Sequence, residues 1–231
     1  MPPSLIEALR QAREWGFLGE GPLAVHIAHA QGFADAADSA MTGGALPGQT
    51  VTTDPGAGPW MDLGSGGGIP GLVLAHRWPN RDGVLLDSSE RRTRFLAQVV
   101  EEQGWGNRVR VVTLRAEVAG RTEGLRGTFS LVVARSFGPP PVTAECAAPF
   151  LRPGGTLIVS EPPATGSDDV DDRWPREALA GVGLEPLAVR RDPFGYVILR
   201  QSAPCPERFP RRVGVPAKRP LYRVGQGSLP G

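Results

Sequence analysis

Hydrophobic and polar positions fall into two regimes along this chain. Over residues 4–15, Leu5, Ile6, Leu9 and Ala12 share one face at helical spacing, and residues 23–38 read as a second helix. Residues 41–59 are rich in Gly, Pro and Thr with one charge, Asp54, a loop composition. Short apolar runs then alternate with amphipathic ones. Strands are predicted near 58–63, 83–87 (GVLLD), 108–114 (RVRVVTL), 128–134 (TFSLVVA) and 154–160 (GGTLIVS). Helices are predicted between them, over 66–77, 89–103 and 139–151. In the second of these, Ser89 is the expected N-cap, and Phe95, Leu96, Val99 and Val100 form the apolar face. Beyond a solvated acidic loop, SDDVDD, one helix is predicted over 173–182, then strands over 184–190 and 194–200.

Alternating strands and helices predict a mainly parallel sheet covered by helices. Only DPFG (192–195) separates the last two strands. A parallel return needs a dozen or more residues, so this gap demands an antiparallel hairpin. The expected fold class is therefore α/β, with a mainly parallel sheet and a C-terminal antiparallel hairpin. That is the pattern of Rossmann-like class I S-adenosylmethionine-dependent methyltransferases. The reading divides the chain into an N-terminal helical extension and Gly/Pro-rich loop (1–57), a methyltransferase domain (58–200) and a basic, Pro-rich tail (201–231).

Composition narrows the picture. The chain has 231 residues, 40% of them hydrophobic, enough for one well-buried domain. No run approaches the roughly 18 apolar residues of a membrane span, and the first residues lack a signal peptide's apolar core. Cys146 and Cys205 are far apart without CxxC partners, which suggests buried thiols in a reducing, cytoplasmic setting. His26 and His29 could share a helix face, but no third ligand is in evidence and no metal is expected. Net charge is only +1, yet its distribution is uneven. From Arg200 onward Glu207 is the single acid among Arg208, Arg211, Arg212, Lys218, Arg219 and Arg223. Prolines are expected to keep this tail extended along a phosphate backbone, with residues past 223 a solvated terminus.

The candidate chemistry centres on DLGSGGGIPG (62–71), a turn between a predicted strand and helix. Gly66, Gly68 and Gly71 satisfy G-x-G-x-x-G, a weak dinucleotide signal when alone. Asp62 discriminates. A carboxylate beside a pyrophosphate at about 4 Å repels it by roughly 4 kcal/mol at an effective dielectric near 20. The same carboxylate favours S-adenosylmethionine, which carries an ammonium and a sulfonium and no phosphate. Asp87, ending the second strand, can accept hydrogen bonds from ribose hydroxyls. The competing reading is that both acids merely cap the helices that follow them.

The stretches DLGSGGGIPGLVLA, LLDSSERRTRFLAQVV, LRAEV and VVARSF, in this order, resemble the RsmG (GidB) family over roughly residues 58–160. The tail RFPRRVGVPAKRPL (208–221) is similar to that family's C-terminal segment. The resemblance implies an S-adenosylmethionine-dependent enzyme that methylates guanine N7 in small-subunit (16S) rRNA, free or in a precursor subunit. It implies cofactor contacts at Asp62, Gly64, Gly66, Gly68 and Ile69 in the turn, at Asp87 and Ser88, and at Ala116 and Glu117 beside the adenine. Arg135, ending the fourth strand, would lie at the methionine end and serve the transfer. The tail residues Arg208, Arg211, Arg212, Lys218 and Arg219 would contact RNA. Neither a metal nor a membrane is expected, and the chain is read as a monomer.

The sequence departs from the family where the fifth strand usually ends in Lys-Gly. Here Ser160-Glu161-Pro162 reverses the local charge, where RNA phosphates would pass. That departure, with the absence of the family's upstream Asn-Leu-Thr segment, keeps two further readings open: a methyltransferase of the same fold acting on another RNA or a small molecule, and a non-catalytic relative that binds cofactor or RNA.

Overall fold

The computed structural model describes residues 1–42, 58–162 and 170–224. Two helices come first, α1 (Pro3–Glu14) and α2 (Leu23–Thr42). The alternating part follows as β1 (Trp60–Leu63), α3 (Gly71–Arg77), β2 (Gly83–Asp87), α4 (Glu90–Glu102), β3 (Val109–Thr113), α5 (Ala116–Ala119) and β4 (Phe129–Ala134). It continues through α6 (Pro140–Ala147), β5 (Leu151–Glu161), α7 (Val170–Arg173), α8 (Arg176–Ala180), β6 (Leu184–Arg190) and β7 (Gly195–Gln201). A last helix, α9 (Val215–Lys218), lies in the tail.

The strands form one sheet in the order β3-β2-β1-β4-β5-β7-β6. Strands β1 to β5 pair in parallel, and β7 runs antiparallel to both β5 and β6. The expected hairpin is thus present, inserted so that β7 lies inside and β6 at the edge.

Period-two alternation sends successive strand side chains to opposite layers. Trp60, Leu131, Val133 and Ile158 join a core under α1–α4. Met61, Leu63, Val132 and Leu157 join a second core on the other face. Both faces are therefore dry, which is why β1 and β4 are almost continuously buried. In α1, Leu5, Leu9 and Ala12 are fully buried as expected, with Ala8 beside them and Ile6 only partly covered.

Three expectations shift. The helix read from 66 begins only at Gly71, because positive φ at Gly64, Gly66 and Gly68 holds the preceding residues in a turn. The helix read over 173–182 is two short ones, since Pro175 cannot continue α7 and instead precedes α8. The tail is not an extended strand: it packs back on the second core through Phe209, Leu221 and Tyr222. Most of the Gly/Pro-rich loop, part of SDDVDD and the terminus past 224 lie outside the described residues.

Candidate active site

The carboxyl ends of β1, β2 and β4 open on a cavity of about 410 Å³. This is the edge at which open α/β sheets take ligands. The turn after β1 supplies one wall, and its hydrogen bonds decide what it accepts. Gly64 and Ser65 both donate their N–H to the Leu86 carbonyl, at 2.8 and 2.9 Å. Gly66 N–H donates to Asp87 Oδ2 at 2.9 Å. Gly68 donates to Ser65 O, and Leu72 to Gly68 O. Gly71 N–H, at the start of α3, donates to Asp62 Oδ2 at 2.9 Å. Amides that would cradle a pyrophosphate in a dinucleotide site are here satisfied within the protein.

Asp62 differs from its expected place. It is fully buried, on the α3 side of the sheet and beneath the cavity rather than on its wall. Its Oδ2 holds the start of α3 and its Oδ1 has no hydrogen-bond partner. Any side chain at Gly71 would strike this carboxylate and Leu85, so only glycine lets the helix approach it. Burial pushes the Asp62 carboxyl up to about 7, against the pull of the Gly71 hydrogen bond. The capping reading describes what this side chain does.

The sign of the pH effect follows. The folded state binds the Asp62 proton more tightly than an unfolded chain, whose ordinary value is 3.8. The stabilisation by the neutral form is therefore full at low pH and is lost as pH rises through about 7. Asp62→Asn lacks this ionisation. Its stability relative to the parent should rise between about pH 4 and 7 in urea denaturation series; a flat difference would show that the carboxyl titrates normally.

Asp87 stands at the cavity, where a ribose contact would need it, and also receives backbone amides as in the competing reading. It lines the cavity, while Oδ1 accepts the Ser89 N–H and Oδ2 accepts that of Gly66, both at 2.9 Å. Ser89 occupies the N-cap position of α4, but its side chain makes no capping bond; Asp87 receives its amide instead. Ser88, Ala116, Glu117 and Gly64 also line the cavity. Gly66, Gly68 and Ile69 do not. Gly68 packs under Leu72 and Leu96, and Ile69 is buried in the first core.

Much of the remaining lining is apolar and was not singled out in the sequence: Leu63, Leu86, Leu114, Phe137, Val142 and, from the tail, Ala217. A side chain at Gly64 would strike the Phe137 ring, so this glycine also preserves space within the cavity. Cys146 lies on the wall, and burial pushes its thiol up to about 12, so it packs as a neutral group. The charge inside is acidic, from Asp87 and Glu117. The half-buried Arg92 and the exposed Arg115 sit at the rim, 3.7 Å from Asp87 and 3.4 Å from Glu117 respectively.

Glu117 also anchors the tail. Its Oε1 accepts the Gly214 N–H at 2.9 Å. Burial alone would raise its carboxyl; that amide and the Arg115 guanidinium hold it below the usual range. Further along, Arg211 is committed to Glu145, which is fully buried in α6. Its backbone N and Nε donate to Oε1 at 2.8 and 2.9 Å, and its Nη2 donates to Oε2 at 2.5 Å. Arg121 and Arg126 donate to carbonyls of Arg208, Phe209 and Pro210. Arg211 is therefore removed from the expected RNA contacts, while Arg208, Arg212, Lys218 and Arg219 remain exposed.

Glu161 is likewise corrected. It is buried, accepting from Arg173 Nε at 2.7 Å and from the Trp174 indole at 2.9 Å. Its charge is matched inside the protein and does not face a passing phosphate.

The histidines part company. His29 packs among Phe33, Phe194 and Tyr196, and burial pushes it down to about 4, with lesser contributions from Arg135 and His26. His26 has a task that the sequence did not reveal: its Nδ1 lies 2.7 Å from Arg135 Nη2. Arg135 follows β4 but stands behind the cavity wall formed by Ser136 and Phe137. Among the described residues, no group of three or more His, Cys, Asp or Glu side chains could hold a metal ion. Nor is any described helix long and apolar enough to cross a membrane.

The family model for rRNA small subunit methyltransferase G matches residues 45–161. A protein of that name from Prochlorococcus marinus (strain MIT 9303) is 38% identical over 165 residues, covering 70% of this chain and 67% of its own. Another from Symbiobacterium thermophilum is 35% identical over 196 residues, covering 81% and 76%. The solved structure of a putative O-methyltransferase from Klebsiella pneumoniae superposes with a TM-score of 0.58 over 88% of this chain and 91% of that one. At 15% identity, that likeness concerns the fold.

Proposed function

The chain belongs to the rRNA small subunit methyltransferase G family, and from that premise we propose that it transfers the methyl group of S-adenosylmethionine to N7 of a guanine in small-subunit (16S) rRNA. The observation that carries the reading is the cavity at the strand ends, with two carboxylates facing in and the glycine-turn amides engaged elsewhere. Such a site fits a ligand with cationic ends and no phosphate.

S-adenosylmethionine, when bound, supplies an electrophilic methyl group on a sulfonium. Asp87, whose oxygens keep further acceptor capacity, would take the ribose hydroxyls. Ala116, Glu117 and the apolar wall would flank the adenine, and Gly64 would leave room beside Phe137. Guanine N7 carries a lone pair and no proton, so the chain needs no general base. Its residues have to align the acceptor with the methyl carbon and exclude water. Arg135 would donate to guanine O6 or a phosphate oxygen from the end of β4. In this reading residues 58–200 hold the chemistry and the tail meets the RNA. An rRNA substrate accounts for the cytoplasmic setting expected from the sequence.

The test is methylation of small-subunit rRNA by the purified chain with S-adenosylmethionine, read by nucleoside mass spectrometry. A new 7-methylguanosine supports the proposal. Cofactor binding with no mark on free rRNA or on the subunit refutes it in favour of a non-catalytic relative. The reading with another acceptor loses the support it drew from Glu161, which is paired inside the protein.

Four exposed tail cations provide a second check. Combined replacement of Arg208, Arg212, Lys218 and Arg219 by alanine should weaken rRNA binding and flatten the plot of log K against log salt by about three to four units. Thermal stability should change little. An unchanged slope would remove the tail from the RNA interface.

A further inference from the structure

We infer that His26 is a positioning residue for the methyl transfer, a neutral imidazole that fixes the Arg135 guanidinium beside the cavity without cancelling its charge. This rests on the reading of Arg135 given above, and the geometry supplies the rest.

Arginine donates hydrogen bonds and never accepts them. His26 Nδ1, 2.7 Å from Arg135 Nη2, is therefore the unprotonated nitrogen of the ring. His26 Nε2 lies 3.1 Å from the Gly19 carbonyl and must carry the ring proton. Two partners thus assign one neutral tautomer. His26 itself is buried on α2, and Gly19 belongs to the segment between α1 and α2. That segment lies across the glycine turn, where a side chain at Gly67 would strike Phe17 and Leu18. The N-terminal helices therefore carry the imidazole to the edge of the site.

A half-buried guanidinium is ordinarily met by a carboxylate. Among the described residues Arg135 has no ion pair, and its bond to His26 is its only hydrogen bond. Asp62, on the same face of the sheet, attracts Arg135 only at a distance, and the carboxylate oxygen that accepts a hydrogen bond takes it from the Gly71 amide rather than from the guanidinium. The positive charge and the remaining N–H donors of Arg135 are left for an acceptor from outside the protein. The next residue sharpens the point. Ser136 is the one described residue other than glycine at positive φ, +53°. That backbone, unfavourable for a side-chain-bearing residue, turns the chain so that Arg135 faces His26 while Ser136 and Phe137 face the cavity.

Two substitutions separate positioning from bulk stability. Asparagine places an amide oxygen near the position of Nδ1 and can still accept from Arg135. Glutamine reaches the position of Nε2 and leaves Arg135 without its acceptor. In His26→Gln, kcat on small-subunit rRNA should fall by about tenfold to a hundredfold, the scale of a hydrogen bond to a charged group. In His26→Asn it should stay within about threefold of the parent, as the acceptor is retained. Both variants should bind S-adenosylmethionine in calorimetry like the parent, and in Arg135→Ala the further change His26→Gln should cost nothing more. Equal kcat in the two His26 variants, a larger loss in His26→Asn, or additive losses in the double variant would overturn the positioning role while leaving that of Arg135 standing. Full turnover in Arg135→Ala would overturn both.

Discussion

Arg211→Ala is expected to lower the free energy of unfolding by about 3 to 5 kcal/mol, the range for breaking a buried charge pair from one side. Its partner Glu145 is wholly buried in α6 and accepts three hydrogen bonds from Arg211. Removing the side chain leaves the carboxylate with the residue-211 amide alone, in surroundings formed by Thr143, Ala144, Cys146 and Ala147, all buried. The neighbouring Arg212 is exposed and serves as control: Arg212→Ala should shift stability by no more than about 0.5 kcal/mol. Urea denaturation midpoints measure both. Indistinguishable midpoints for the two variants would mean that the Glu145 pair contributes nothing. Because Arg211 Nη2 also donates to the Arg219 carbonyl across α9, affinity for S-adenosylmethionine should fall with stability in Arg211→Ala.

Asp87→Ala is expected to weaken S-adenosylmethionine binding by about a hundredfold to ten-thousandfold. Two hydrogen bonds to a carboxylate, at about 1.5 to 3 kcal/mol each, set that scale. The loss has two origins. The ribose hydroxyls lose their acceptor, and the Gly66 and Ser89 amides lose theirs, so the glycine turn is no longer tied to the end of β2. Asp87→Asn keeps one acceptor oxygen and should fall between the parent and the alanine variant. Calorimetry decides; parent-like affinity in Asp87→Ala would end the assignment of this carboxylate to the ribose.

Much of the fold could be read from pattern because the signals were local. Strands β2 and β6 have the bounds expected for them, and the four-residue gap before the last strand dictated a hairpin. The cavity wall was legible where a strand end announces it, as at Asp87, while Ala116 and Glu117 were reached through the family resemblance. What remained hidden depends on partners distant in sequence. A Pro-rich basic tail reads as extended, because nothing near it shows that Arg121 and Arg126 collect its carbonyls. Arg211 reads as one more phosphate contact until Glu145, 66 residues away, is found to hold it. A signal was present there: a lone acid in the apolar run VTAECAAPF asks for a buried cation. Glu161, closing the apolar strand GGTLIVSE, carried the same signal. The glycine motif gave no hint of which way its amides point, and Asp62 showed its sign without showing its depth.

One short helix near the end of the chain does two jobs within a few residues. Ala217 closes the cavity, and Lys218 and Arg219 beside it stand in solvent. In the proposed function, capture of the nucleic acid and closure over the methyl donor would thereby be mechanically one act. Anyone who grafts a foreign tail onto this scaffold to redirect it to a different transcript will retune its appetite for the donor as well.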